Sequence, residues 1–172
     1  MQPPANISDL LAVAIPDRLS RRPRDSRGFP QPFVVSDFRT TDGERWGYAV
    51  TQRRCGLCGE PLGSNIAFIG GPLSHESRLF TDVGMHRDCA EYALRVCPYL
   101  AIRPVKHLET IKQVPDELRL AAPEVSTDKP ERFALGITGG FKVIRLPSGP
   151  PALLANPWKS VSWWVAGMEI DP

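Results

Sequence analysis

Two short pairs of residues constrain this chain more than anything else in it: Cys55-Gly-Leu-Cys58 and, after 27 further residues, His86-Arg-Asp-Cys89. Each pair leaves two residues between its candidate ligands, the spacing with which small proteins hold a zinc ion. Four donors must then meet within a few ångström, so the chain between the pairs must leave and return to one point. Gly56 and Gly59 supply the backbone freedom for a turn whose N–H groups face the thiolates. The second pair opens a stretch in which Cys89, Ala93, Val96 and Cys97 recur at helical spacing until Pro98, which predicts a helix over 86–97. His86 and Cys89, three residues apart on its first turn, share a face, and the positive end of the helix favours thiolate.

Other thiols and imidazoles compete for the site. Cys97 lies eight residues beyond Cys89, about 12 Å along a continuous helix, too far to join the same tetrahedron, and reads as a core thiol. His75 sits in the intervening segment and is the alternative to His86, while His107 reads as a surface histidine. A thiol–disulfide role for Cys55 and Cys58 is disfavoured because redox pairs open a helix, whereas Glu60-Pro61-Leu62-Gly63 reads as a turn. Three thiolates and an imidazole fill all four positions of a zinc ion, so one structural zinc is expected rather than a catalytic one. The deaminase signature is missing, since His75 and Glu76 are adjacent and the Cys-x-x-Cys comes first. No Gly-Lys-Ser/Thr follows Gly70-Gly71-Pro72, so there is no phosphate loop of the P-loop type.

A knuckle, a hairpin and a ligand-bearing helix, in that order, resemble the treble-clef zinc finger. That likeness raises HNH-type nuclease chemistry as an alternative, because HNH sites are built on the same frame. Only His75, Asp82 and Glu91 could be recruited to it, and the helix after His86 carries neither His nor Asn.

The 172 residues suffice for one domain with a core. With 42% hydrophobic and 23% charged residues, and with 18 prolines and 14 glycines, the composition is that of a folded, loop-rich chain. The fold class expected is α+β: short antiparallel strands, a treble-clef knuckle and one main helix. A net charge of +2 argues against a surface built entirely for nucleic acid. No apolar run approaches the ~20 residues of a membrane span, and a cytoplasmic location with reduced cysteines is expected.

Along the chain, residues 6–15 read as a short helix capped by Ser8. Segments 33–40 and 45–52 are rich in β-formers and flank Asp42-Gly43, which predicts a hairpin. Segments 65–70 and 79–83 read as a further short strand pair, joined by a loop containing Gly70-Gly71-Pro72. Strands are expected at 133–138, 140–146 and 160–166, the first two joined around Gly139-Gly140. The organisation is then an N-terminal helix and basic arm over 1–27, a hairpin plus zinc module over 28–114, a proline-rich linker over 115–131, and C-terminal strands over 132–172 packed on the same domain.

Two further sets could meet a partner. The arm carries Arg18, Arg21, Arg22, Arg24 and Arg27, and Arg53 and Arg54 abut the knuckle; together they are candidate phosphate contacts. Trp163 and Trp164 point to opposite faces of a strand, so one of them is the candidate anchor for a protein or a base. A protein partner is favoured by the small net charge, with nucleic acid as the alternative.

The motifs Arg27-Gly-Phe-Pro30, Cys55-Gly-Leu-Cys-Gly-Glu-Pro-Leu-Gly63, Ala67-Phe-Ile-Gly-Gly-Pro72, His86-Arg-Asp-Cys-Ala-Glu-Tyr-Ala93, Cys97-Pro-Tyr-Leu100 and Trp163-Trp-x-x-Gly167 are similar to a group of small zinc-knuckle proteins of bacteriophage and bacterial genomes. The resemblance spans roughly residues 27–167. It implies a phage or bacterial setting and supports His86 and Cys89 as the second ligand pair.

Overall fold

In a computed structural model of the chain, residues 6–36, 40–102 and 129–172 are described. The reading of 115–128 as a linker and of His107 as a surface residue lies outside them. Helix α1, Ile7–Leu11, is capped by Asn6, whose side chain accepts from the Asp9 N–H at 3.1 Å. The expected cap, Ser8, lies inside the helix, because Asn6 is the last residue with extended backbone. Helix α2, Asp17–Ser20, follows Pro16.

The expected hairpin at Asp42-Gly43 is instead the start of helix α3, Gly43–Thr51. The Asp42 carboxylate accepts from the Glu44 and Arg45 N–H groups, both at 3.0 Å, and so occupies the orphan donors of a helix start. Trp46, Ala49 and Val50, at i, i+3 and i+4, pack into one apolar cluster. That burial outweighs the β preference of Trp, Tyr, Val and Thr in the segment.

Next come β1 (Ile66–Gly70), α4 (Pro72–Ser77), β2 (Leu79–Phe80), α5 (Arg87–Val96) and α6 (Pro98–Ala101). After them come β3 (Phe133–Thr138), β4 (Phe141–Ile144), β5 (Ala152–Ala155), β6 (Trp158–Val165) and β7 (Met168–Ile170). The strands form two antiparallel sheets, β1-β3-β6-β7 and β2-β5-β4. The fold is therefore α+β. Among the described residues no helix is long and apolar enough to cross a membrane.

Two expected pairings are not made. β1 and β2 do not pair with each other; each takes a partner from the C-terminal strands, and α4 occupies the loop between them. β3 and β4 do not form a hairpin around Gly139-Gly140, because the chain there passes from one sheet to the other. The crossing is latched by Thr138, fully buried, whose hydroxyl lies 2.9 Å from the Asn156 carbonyl and 3.2 Å from that of Gly140.

The strand period of two divides the core. On β1, Ala67 and Ile69 face one cluster with Leu10, Leu94, Leu135 and Trp164, while Ile66 and Phe68 face another with Phe80, Val83 and Leu153. Strand β1 is thus apolar on both faces. Opposite Phe68 stands Gly136, where a Cβ would come within 2.5 Å of the Trp158 ring, so only glycine lets that indole lie across β3.

Candidate metal centre

The first ligand pair sits in a tight turn closed by hydrogen bonds. The Cys55 N–H donates to the Glu60 carbonyl and the Gly59 N–H to the Cys55 carbonyl, both at 2.9 Å. Two more N–H groups point at sulfur: Cys58 N–H at the Cys55 Sγ, 3.5 Å, and Glu60 N–H at the Cys58 Sγ, 3.4 Å. Such donors stabilise thiolate and tune metal-bound sulfur. Gly59 has φ +78°, and a Cβ there would lie 2.6 Å from the Phe33 ring, so this position requires glycine on both counts. Gly56 is needed for space instead: a Cβ would meet that of Val83 at 3.0 Å.

The second pair is aimed by β1. Ala67 and Met85 exchange both backbone hydrogen bonds, at 2.8 and 2.9 Å, which pins the residue before His86 to the sheet. His86 is the N-cap residue of α5, with extended backbone, and Cys89 is buried in its first turn. The result brings Cys55, Cys58, His86 and Cys89 together, with one ligand atom from each and all four atoms within 4.8 Å of one another. A tetrahedron of Zn–S bonds of about 2.3 Å has edges of about 3.8 Å. The donor set therefore fits one four-coordinate ion.

His86 is oriented for that role. Its Nδ1 lies 3.3 Å from the Cys58 Sγ, and its Nε2–H donates to the Pro61 carbonyl at 3.0 Å, leaving Nδ1 as the atom turned to the sulfurs. In the metal-free chain the thiols share protons unevenly. Hydrogen bonds from Cys58 and Cys89 hold Cys55 far below the usual thiol range, while Cys58, donating to Cys55, is pushed up to about 11. Cys89, which donates to both, is raised further, and hydrogen bonding to Cys55 raises His86. The thiols thus share protons through these hydrogen bonds, and an ion that binds there displaces those that remain.

The basic arm folds onto this centre. Arg18 pairs with Asp88 at 3.0 Å and Glu60 at 3.4 Å, and Arg21 pairs with Glu60 at 3.3 Å. Glu60 belongs to the knuckle turn and Asp88 to α5, so the pairs join the arm to both halves of the metal module. Because they are partly solvated, each contributes at most about 1 kcal/mol. Arg22 donates to the Gln31 carbonyl and lies over the Phe33 ring; Arg24 donates to the Gly28 carbonyl; Arg27 pairs with Asp25 at 3.1 Å. Arg53 lies over Phe141, and Arg54 donates to the Gly59 carbonyl beneath Tyr48.

The remaining candidates separate. Of the two neighbouring tryptophans, Trp164 is buried and Trp163 is only partly covered, between His75 at 5.3 Å and Arg132 at 4.3 Å. His75 stands outside the ligand cluster and stacks on Trp158 with 5.7 Å between ring centroids. Glu91 pairs with Arg87 at 2.8 Å, and Asp82 follows β2, so the residues considered for nuclease chemistry are not gathered. Among the described residues, the Cys55, Cys58, His86 and Cys89 group alone could hold a metal. Cys97 is a free thiol outside it, half-buried rather than in the core, with burial pushing its pKa up.

One feature has no signal in the sequence. A groove of about 1040 Å³ opens beside the metal module, between the loop around Phe29, the end of β2, the C-terminal turn of α5 and Lys129. Its walls come from segments far apart in the chain. Comparison of the chain with protein-family models, with curated proteins and with solved structures finds no match in any of the three.

Proposed function

We propose that this is a zinc-stapled binding protein built around a treble-clef finger, acting through a protein partner in a phage or bacterial setting. Zinc is the ion that Cys₃His donors at this spacing select, and four protein donors leave no open position for substrate. Knuckle, β1 with its short pairing to Met85, and α5 follow one another in treble-clef order, with α4 and β2 inserted in the hairpin. The observation that carries the binding reading is the groove, mainly apolar and large enough for a partner's segment. The arm supports a protein over a nucleic acid: Arg18, Arg21 and Arg27 already face carboxylates within the molecule, which lowers the counterion-release term available for phosphates.

Two measurements test this. Elemental analysis of the purified protein should give one zinc per chain. A photo-crosslinking residue at Leu73, exposed and on the groove, should capture a protein from bacterial extract, while the same residue at Val143, exposed but outside it, should not. Equal capture at both positions, or salt-sensitive binding of a random DNA fragment, would replace the protein-partner reading with the nucleic-acid one.

A further inference from the structure

The groove has one charged group that no described residue answers. Asp82 lines it directly after β2, with its side chain exposed to the open volume. Among the described residues its carboxylate has no hydrogen-bond or ion-pair partner. The other charges on the groove wall are engaged. Asp25 pairs with Arg27, and the Lys129 ammonium is bonded to the Ile102 carbonyl and lies over the Tyr99 ring. Around Asp82 stand Phe80, Val83, Cys97 and Tyr99, a setting of low polarity. Asp82 stands close enough to Cys97 and Tyr99 for its charge to help push both of their pKa values up. An unpaired carboxylate amid apolar walls is costly alone and strongly attractive to a cation that arrives with its own apolar flanks.

From this geometry we infer that the groove docks an apolar peptide segment of the protein partner bearing one lysine or arginine, with the cationic head on Asp82. The inference rests on the protein-partner reading and gives it a recognition chemistry. A peptide fits better than a small molecule because the volume, about 1040 Å³, lies at the upper end of small-molecule sites and spreads along an open groove. Charge complementarity fixes the sign: among the described residues the cations on the wall, Lys129 and Arg27, are engaged and leave none free for an acidic peptide.

The test uses the full chain and three fluorescein-labelled peptides, Gly-Leu-Phe-Lys-Leu-Val-Gly and its counterparts with Gln or Glu in place of Lys, read by fluorescence anisotropy. The Lys peptide should bind roughly tenfold more tightly than the Gln peptide, and the Glu peptide most weakly. Asp82→Asn should make Lys and Gln peptides equal, and Asp82→Lys should reverse the order, with zinc content unchanged in both variants to show that they fold. No binding by any peptide, or a Lys preference that survives Asp82→Asn, overturns the inference. So does a dimer of the chain that Asp82→Asn dissociates, because the occupant is then a second copy. If crosslinking at Leu73 still captures a protein while the peptides fail, the partner reading stands and only the Asp82 recognition falls.

Discussion

The two apolar clusters on either side of β1 are held by different means. The first includes Cys55, Cys58 and Cys89 among its buried residues, so its interior is partly the candidate metal site. The second, built on Ile66, Phe68, Phe80, Val83 and Leu153, contains none of the candidate ligands and is a packed apolar cluster, with Phe68 and Phe80 rings 4.8 Å apart. A metal-centred cluster can be assembled from irregular chain, because ligation supplies the closing energy. A packed cluster needs regular strands and helices to bring enough surface together. The knuckle cysteines and Phe29 accordingly lie in the first, while the β2-β5-β4 sheet lies on the second, with Phe33 and Val34 packed against it.

Breaking the metal should therefore do the most damage, and do it on one side. Cys89→Ser or Cys58→Ser should abolish zinc retention and unfold the knuckle and the arm docked on it, since metal-binding energies of about 10–16 kcal/mol are largely folding energy. Elemental analysis with a thermal melt reads both, and full metal retention in either variant would remove that residue from the site. The same linkage gives a sign for pH. Cys58 in the metal-free chain is pushed up to about 11 and Cys89 is raised too, so an ion must displace their protons. Zinc affinity should thus weaken on acidification, by about tenfold per displaced proton and pH unit, in a competition titration with a chromophoric chelator.

The packed cluster should fail differently. Phe68→Ala removes a buried ring and should cost about 3–5 kcal/mol in denaturant unfolding, while folded protein still carries its zinc. Zinc loss in parallel with stability would mean that the two clusters are one cooperative unit. Asp42→Ala should cost about 1 kcal/mol by freeing the first N–H groups of α3, again without touching the metal. The smallest effect is expected for Cys97→Ser, with zinc unchanged and only a slight shift in melting temperature. Stoichiometric zinc loss there would redraw the ligand set.

The same contrast explains which parts of the molecule could be read in advance. Cys55, Cys58, His86 and Cys89 announce themselves because ligand chemistry depends on residue type and short-range spacing, both local. Helix α5 was equally plain, since its apolar period, its start at the ligand pair and Pro98 agree. Asp42-Gly43 misleads because one dipeptide serves a tight turn and a helix N-cap alike, and only the burial of Ala49 and Val50 decides between them. Strand β5, Ala-Leu-Leu-Ala between prolines, lacks β-branched residues and is made a strand by pairing with β2 and β4 on either side.

By itself the sequence determined the candidate ligand residues, the main helix, the α+β class and three of the five strands in the last forty residues, β3, β4 and β6. Tertiary structure alone decided which strands pair, that Trp164 rather than Trp163 is the buried indole, that the arginine arm lies against Glu60 and Asp88, and that Asp82 faces a groove with no partner among the described residues. The physical reason is range. Ligation, capping and periodicity act over a few residues, whereas sheet partners, buried faces and grooves are set by surfaces that meet from distant parts of the chain and compete for the same contacts.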